Sequence, residues 1–393
     1  MNSSKSSSVS EPQYSSSIPL PKIDAILEEH DMLTFNMSNT NVSIANGLRR
    51  TIMSEIDVAI LDTSDESIDI EINTTMFNNE ILKQRLGCIP VFVGELDDTV
   101  KDLRMVLDRE NTSNSMEYVT TKDFKLVDKK TNKELPEKKV REMFPSNKQT
   151  KSYILFARLK PEISNDIKGE KLKLSCNLNI SNAKANGMYN AVSCCAYKYA
   201  VDRVKQNSEW AKIEGQMMKN TDEIDAGELQ QKIAFDKENW FNHEGLRYTV
   251  DGSFDFCVET LGIYTNKNIV RKGCDVILAK LNAMKNSTGN GKLFSINEMP
   301  VALKDSFDIV LYNEDYTIGK ILEYIMHYSY YRKGLLSYVG FSKKHPHDDN
   351  SIIRIAFSKQ NGDVANTNNV VEIVHNSCII AMNVFKEIRS NFQ

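Results

Sequence analysis

The sequence predicts an α+β fold in which two units, each combining a strand with an amphipathic helix, flank an inserted and mostly β domain. Apolar residues recur at helical spacing in 43–56 and again in 316–328. Apolar and polar residues alternate in 171–180 and in 248–259, as they do in half-buried strands. These patterns predict helices that pack their apolar faces on sheets.

The composition limits the classes of function that the chain can serve. Its 393 residues suggest two or three domains, and its 41% of hydrophobic residues can form a sizeable core. The net charge of −4 argues against a general basic surface for nucleic acid, but not against a local basic patch. The chain has neither a long apolar run nor an N-terminal apolar signal. We therefore expect an intracellular protein without a membrane-spanning segment.

The first strong helical pattern covers 43–56. Its apolar residues fall within one half of a helical wheel, and Asn41 or Ser43 can cap its N-terminus. Arg50 points away from the apolar stripe. Arg49 lies within the arc of that stripe, so its side chain needs a partner or an exposed edge.

Shifts in composition divide the rest of the chain. Serine-rich stretches with few apolar residues predict disorder, and a stretch rich in glycine and serine predicts a flexible linker. The predicted segments are a disordered tail at 1–20, a first domain formed by 21–60 with about 245–285, an inserted domain at about 61–200 with a connection at 201–244, a linker at 286–300, and a last domain at 301–393.

Patterns within these segments predict the remaining elements. The stretch 91–150 is polar and charged, and we expect polar loops there, whereas 201–244 is expected to contain only local helix. The further predicted elements are strands at 153–159, 307–311, 335–341 and 351–357, and amphipathic helices at 267–285 and 369–389.

No catalytic or metal site is predicted. The seven cysteines are scattered, and none forms the closely spaced pair that zinc sites use. The acidic residues Asp69 and Glu71, and those in 305–308, alternate along strands and are therefore expected to face outward. Paired catalytic magnesium ions would need carboxylates that converge on one loop.

Four segments, in order, resemble the RNA polymerase alpha subunit and the related third-largest subunit of eukaryotic RNA polymerase II. They are the signature helix at 41–55, the segment at 79–90 that follows it, the loop at 184–192, and the strand at 254–262 that leads to the second dimerisation helix. Gln84 stands where the family usually has His. The loop at 184–192 shares the family's lysine and valine but lacks its His and Pro.

The last ninety residues resemble a different member of the same family. The stretch 313–322 is close to the signature of the eleventh subunit of RNA polymerase II, with Tyr316 in place of the family's His. The chain therefore resembles a fused homologue of the alpha-like third-largest and eleventh subunits of a eukaryotic-type DNA-directed RNA polymerase. Such a fusion and the asparagine-rich composition point to a large DNA virus as the source.

The resemblance implies an alpha-like dimerisation domain with an inserted domain, followed by a second, eleventh-subunit-like dimerisation domain. The implied function is a non-catalytic assembly platform that forms an intramolecular pseudo-dimer and docks the two large catalytic subunits. The implied partners are the largest, second-largest and small polymerase subunits, through which DNA is mainly contacted, and no membrane. The zinc loop of third-subunit members is expected to be absent, since 91–150 has no cysteine, and the catalytic magnesium belongs to the partner subunits.

The resemblance also implies residues at subunit interfaces. Alternative interpretations stay open: a solvated helix edge for the two helix arginines, helix-start carboxylates for the acidic pair, and core packing for Arg85. A stand-alone transcription regulator that reuses the fold is the alternative function. The interface residues are Asn46, Leu48, Arg49, Arg50, Arg85, Glu314, Asp315, Thr317, Gly319 and Leu322. For a viral protein, the expected location is the host cytoplasm, the nucleus or the virion.

Overall fold

The computed structural model describes residues 18–164, 167–219, 226–289, 291–298, 304–358 and 365–392. The predicted tail at 1–20 lies outside the described residues, except for 18–20, where Ile18 is buried in a hydrophobic core. Across the described part of the chain, no helix has the length and apolar character that crossing a bilayer requires.

The described residues form a mixture of helices and strands, as the α+β prediction requires. In chain order the strands are β1 (Lys22–Glu29), β2 (Met32–Ser38), β3 (Val58–Leu61), β4 (Ile68–Asn73), β5 (Leu103–Glu110), β6 (Glu117–Thr120), β7 (Lys125–Asp128), β8 (Leu155–Leu159), β9 (Lys171–Ser181), β10 (Val192–Val201), β11 (Thr249–Thr260), β12 (Phe294–Glu298), β13 (Ser306–Tyr312), β14 (Leu336–Ser342) and β15 (Asn350–Phe357). The α-helices are α1 (Val42–Ser54), α2 (Asn79–Gly87), α3 (Glu137–Met143), α4 (Arg203–Lys219), α5 (Ala226–Asn242), α6 (Asn266–Lys285), α7 (Tyr316–Met326) and α8 (Thr367–Ser390).

The strands pair into antiparallel sheets. The first sheet has the order β1-β2-β11-β10, and the last has the order β12-β13-β15-β14. A middle sheet with the order β3-β9-β5-β7, in which β4 also pairs with β9, and the small β6–β8 pair lie in sequence between β2 and β10 of the first sheet. The first sheet therefore brings the beginning of the described chain beside residues more than two hundred positions later.

One hydrophobic core joins the first and last sheets through α1, α6, α7 and α8. The helices approach closely where glycine replaces a side chain. A Cβ at Gly47 of α1 would lie 2.6 Å from Cδ1 of Ile321 in α7, and one at Gly273 of α6 would lie 2.7 Å from Cγ1 of Ile52 in α1. After α8, the ring of Phe392 contacts Phe35 of β2 with centroids 4.9 Å apart. The amphipathic stripes of the sequence thus face one another in a shared core.

The middle sheet has a hydrophobic core of its own, and this corrects one prediction. Polar loops were expected in 91–150, yet Val100, Met105, Leu107 and Phe124 from this stretch are buried. The strands β6 and β7 have four residues each. Strands this short place only about two side chains on each face, too few for a periodic signal in a charged sequence.

The connection predicted at 201–244 is more regular than expected. It contains α4 and α5, which have 17 residues each. Trp210 is buried, and its ring lies 5.7 Å from the ring of Trp240. The helices were not distinguished in the sequence because most of their residues are polar and exposed, which weakens the apolar stripe.

The prediction of a flexible linker at 286–300 is wrong for 294–298. Residues Phe294–Glu298 form β12, which pairs with β13, and Phe294 is fully buried. The glycines and serines of 286–292 dominated the composition and concealed the alternation of Phe294 and Ile296. The outward orientation expected for 305–308 is also wrong at Asp308, which is buried and accepts two hydrogen bonds from Arg354, at 2.6 and 2.7 Å.

Candidate functional site

The contact between α1 and α7 brings together most of the residues singled out in the sequence. Leu48 of α1 and Leu322 of α7 are fully buried, and Thr317 is nearly so. Gly319 lies under the ring of Phe341, where a Cβ would come within 2.0 Å of the ring carbon Cε2. Glycine at this position is therefore required for α7 to lie against β14.

An ion pair and a hydrogen bond connect the polar edges of α1 and α7. Nη2 of Arg50 lies 2.6 Å from Oδ2 of Asp315, and Nε of Arg50 donates to Oγ1 of Thr317 at 2.9 Å. The other carboxylate oxygen of Asp315 accepts the backbone N–H of Thr317 at 2.8 Å and caps α7. Arg50 does point away from the apolar stripe, but its guanidinium group reaches α7 within the same chain.

A second cluster of charges lies beside this ion pair. Nζ of Lys280 in α6 lies 2.7 Å from a carboxylate oxygen of Glu55 and 3.1 Å from one of Glu314. Nζ of Lys184 lies 3.6 Å from Glu55, and the backbone N–H of Lys184 donates to the carbonyl of Ser54. The cluster therefore links α1, α6, the residue before the cap of α7, and the loop that follows β9.

Burial and ion pairing together shift the pKa values of Glu314 and Lys280. Burial raises the pKa of the Glu314 carboxyl group, because the attraction of Lys280 only partly offsets desolvation. Burial alone would lower the pKa of Lys280, but the charges of Glu314 and Glu55 and their hydrogen bonds raise it above its ordinary value. Both directions follow from one ammonium group that faces two poorly solvated carboxylates.

The pKa of Asp315 moves in the opposite direction to that of Glu314. Burial would raise it, but the backbone N–H and hydroxyl of Thr317 and the positive charge of Arg50 lower it below its ordinary value. Asp315 is therefore held in its ionised form, which is the form that caps α7 and pairs with Arg50.

Asn46 and Arg49 lie on a different side of α1. Both nitrogens Nε and Nη2 of Arg49 donate to Oδ1 of Asn46, at 3.0 and 2.9 Å. Both residues are half-buried, and Arg49 is close enough to Cys195 and Tyr197 of β10 to influence their titration. Arg49 was predicted to need a partner because it lies within the apolar arc of α1, and Asn46 is that partner.

Arg85 lies outside this cluster and contacts the small β6–β8 pair. Its guanidinium group donates to the carbonyl oxygens of Phe156 and Leu155, each at 2.8 Å. It also lies over the ring of Phe77, 5.3 Å from the centroid. The packing role that the sequence left open is therefore present, and it attaches α2 to β8.

Sequence reasoning missed Glu55, Lys280 and Lys184 as members of the cluster. A signal was present for two of them. Lys280 follows Ile277 by three residues and precedes Met284 by four, so a charge lies on the apolar stripe of α6, and Glu55 likewise follows Ile52 by three. A charged residue on an apolar stripe indicates a buried ionic partner, because an unpaired charge is costly there.

No metal or catalytic arrangement accompanies this cluster. In the ranges that the structure describes, no three or more His, Cys, Asp or Glu side chains converge as a metal site would require. The absence of a zinc loop stays a prediction from the lack of cysteine in 91–150. The geometry is that of a helix contact held by apolar packing at its centre and by charges at its edge.

Comparison with known proteins relates the part of the chain that contains α1 and most of α6 to RNA polymerase subunits. The family described as the RNA polymerase Rpb3/Rpb11 dimerisation domain matches residues 34–281, a range that includes α1 and most of α6. Over 71 residues the chain is 37% identical to a subunit 3 of DNA-directed RNA polymerases II, IV and V from Arabidopsis thaliana, covering 18% of this chain and 21% of the relative.

Two further relatives are similar over stretches of comparable length. RNA polymerase II subunit rpb3 of Dictyostelium discoideum is 30% identical over 77 residues, which is 20% of this chain and 24% of the relative. RNA polymerases I and III subunit RPAC1 of Mus musculus is 31% identical over 70 residues, which is 18% of this chain and 19% of the relative. The chain thus aligns with less than a quarter of the length of each of these three relatives.

Proposed function

Because the chain belongs to the RNA polymerase Rpb3/Rpb11 dimerisation domain family, we propose that it is a non-catalytic assembly subunit of a DNA-directed RNA polymerase. The observation that carries the proposal is the contact between α1 and α7. Each helix belongs to its own strand-and-helix unit, and each places its apolar face against the other. This is the arrangement expected when two dimerisation units meet.

We infer further that the two units form a pseudo-dimer within one chain. The first unit is alpha-like and corresponds to the third-largest polymerase subunit, and the second corresponds to the eleventh. The ion pair between Arg50 and Asp315 and the cluster around Lys280 supply charged contacts between the units. Fusion makes their association intramolecular, at an effective concentration on the order of millimolar. A viral source would be in keeping with such a fusion.

The pseudo-dimer would dock the largest and second-largest subunits, which bring the catalytic magnesium and hold the DNA, together with small subunits. We assign the ten interface residues to three roles. Leu48, Arg50, Glu314, Asp315, Thr317, Gly319 and Leu322 hold the units together, whereas Asn46 and Arg49 are the residues of α1 proposed to dock a large subunit. Arg85 is proposed to support a partner contact elsewhere, by attaching α2 to β8.

Affinity purification of the tagged chain from cells that produce the whole polymerase tests the proposal. We expect native mass analysis to show the chain in a stoichiometric complex with two much larger chains. If the chain is recovered alone, at 44.7 kDa, the stand-alone regulator becomes the better assignment. Arg50→Glu is a poor docking probe, because the new carboxylate would repel Asp315 within the chain.

Arg49→Glu is the sharper probe of docking, and Arg247→Glu is its matched control. The side chain of Arg247 is 76% exposed and lies in the connection before β11. We expect Arg49→Glu to reduce recovery of the large chains by roughly tenfold while the variant remains folded. Equal recovery with both variants would contradict the docking role of Arg49.

A further inference from the structure

The end of α7 carries a group of aromatic and basic side chains that the proposed function does not use. One π-helical turn, His327–Tyr331, continues α7 and ends before Gly334, whose φ is +77°. The backbone N–H of Arg332 donates to the carbonyl of His327, five residues earlier. Inserted π turns change the direction of the side chains that follow them and are frequent at functional sites.

Five side chains form one continuous face here, which we call the aromatic ridge. Each member has another member three or four residues away, so neighbouring members lie side by side on the helix surface. The centre of the ridge is half-buried and its outer end is exposed, with Tyr331 42% exposed. The members of the aromatic ridge are Tyr324, His327, Tyr328, Tyr331 and Arg332.

The rings of the aromatic ridge form one stacked pair and one tilted pair. His327 and Tyr331 stack with centroids 4.7 Å apart and an angle of 21° between their planes. Tyr324 and Tyr328 lie 6.2 Å apart, and the guanidinium group of Arg332 lies 5.0 Å from the centroid of Tyr328. Flat aromatic faces are therefore held in place before any ligand binds.

The positive charge of the aromatic ridge is not neutralised by the surrounding described residues. Arg332 and its exposed neighbour Lys333 form no ion pair with any residue in the described ranges. The nearby carboxylate of Glu323 is already bound by Lys320 at 2.6 Å and by the backbone N–H of Phe341 at 3.0 Å. The charge therefore complements an anionic ligand.

We propose that the aromatic ridge binds single-stranded RNA, with a base stacked on Tyr331 and phosphates beside Arg332 and Lys333. Stacked aromatic faces next to cations are how proteins hold unpaired nucleotides, whereas aromatic anchors of protein interfaces insert into pockets. The choice of RNA over DNA rests on the proposed function, since a polymerase releases its RNA as a single strand. Arg332 of the aromatic ridge and its neighbour Lys333 place two positive charges side by side on a chain of net negative charge.

Fluorescence anisotropy of the purified full chain with a labelled oligouridine tests this binding without other polymerase subunits. Tyr331→Ala should weaken binding roughly tenfold, because base stacking on an aromatic ring contributes on this scale. Tyr331→Phe keeps the ring and should retain the wild-type affinity. Unchanged binding by Tyr331→Ala, or equal loss in both variants, would overturn the stacking role.

The charge contribution is measured from the salt dependence of binding. The double variant Arg332→Glu and Lys333→Glu should reduce the slope of log affinity against log salt by about 1.4, as expected for two lost contacts to single-strand phosphates. The matched control reverses the exposed pair Lys138 and Lys139 of α3, and its slope should not change. An equal reduction in the control would show general attraction and overturn the site.

Two competitors separate the alternative ligands. Oligodeoxythymidine that binds more tightly than oligouridine would overturn the assignment to RNA. Polyglutamate that displaces the RNA at equal charge concentration would indicate an acidic protein partner and would also overturn it. Because these measurements use the chain alone, a failure here leaves the co-purification with large subunits unaffected, and the converse also holds.

Discussion

At the scale of single residues, Asp315 performs two tasks with its two carboxylate oxygens. One oxygen caps α7 through the N–H of Thr317, and the other pairs with Arg50 of α1. The cap needs only an acceptor, whereas the ion pair needs the negative charge. A substitution that keeps an oxygen acceptor and removes the charge therefore separates the two tasks.

We predict that Asp315→Asn keeps the cap of α7 but lowers the free energy of unfolding at pH 7 by about 1 kcal/mol, a value reduced for the partial exposure of the pair. The pKa of Asp315 is lowered in the folded chain. Its stabilising contribution is therefore complete above the unfolded pKa and is lost as the pH falls through the folded pKa. Urea unfolding should show the difference at pH 7 and pH 5, and a much smaller one near pH 3.

Asp275→Asn provides the matched control for this prediction. Asp275 pairs with Arg389 between α6 and α8, but the side chains are 46% and 43% exposed. Solvent weakens such a pair, so we expect a smaller loss of stability. A difference for Asp315→Asn that is as large at pH 3 as at pH 7 would show that the charge is not its cause.

The sequence identified Arg50 and Asp315 separately but could not predict that they pair. They are 265 positions apart, and only the packing of α1 on α7 brings them together. The charges on apolar stripes, at Glu55 and Lys280, could have been recognised as buried ion-pair members. Their partners could not, because one stripe does not reveal which helix it meets.

At the scale of elements, β12 determines where the last sheet begins. Phe294 is fully buried, and its neighbour Ser295 shares a hydrogen bond with the hydroxyl of Tyr312 at 2.9 Å. The ring of Phe294 also lies 6.4 Å from the ring of His375 in α8. The strand therefore forms one edge of the last sheet and also packs against α8, the last helix.

We predict that Phe294→Ala lowers the free energy of unfolding by about 3–5 kcal/mol, as expected for an aromatic ring removed from a core. Lys292→Ala, two residues earlier and exposed, should change it by less than about 0.5 kcal/mol. Both values come from chemical unfolding followed by circular dichroism. If Phe294→Ala has nearly the free energy of unfolding of the wild type, this segment would be a linker that contributes nothing to the core.

The elements that the sequence predicted differ physically from those it missed. Helices α1, α6, α7 and α8 each repeat apolar residues over several turns, so their stripes stand out from a charged background. The long strands β9 and β11 alternate for 11 and 12 residues. Strand β1 was missed because nearly all of its residues are exposed, which leaves no alternation to detect.

At the scale of the whole molecule, the shared core makes the two units depend on each other. Residues from β2 and α1 and residues from α7 and α8 belong to one cluster, and Phe392 closes it by contacting Phe35. By contrast, the middle sheet buries its side chains in a core of its own. The contact of α1 with α7 is therefore a contact within the main core and not a surface association.

The covalent link between the two units should consequently not be required for them to associate, but it should increase the stability of their association. We predict that 1–289 and 290–393, produced as separate chains, co-elute as a one-to-one complex in size-exclusion chromatography. The cut lies beside Gly289 and close to the exposed Gly291, both of which have positive φ. Halves that elute separately at micromolar concentration would contradict a self-sufficient helix contact.

Arg50→Glu, introduced into both the connected chain and the split pair, then measures how much the covalent link stabilises the association of the two units. An effective concentration on the order of millimolar is about a thousand times the concentration of a micromolar protein solution. This ratio corresponds to about 4 kcal/mol of free energy in favour of association within one chain. The substitution places a carboxylate opposite Asp315 and weakens the contact equally in both forms. The connected chain should therefore remain folded with a lower unfolding midpoint, while the split pair dissociates on dilution. If both forms respond alike, the connection adds nothing to the contact, and fusion of the two units would have no energetic consequence.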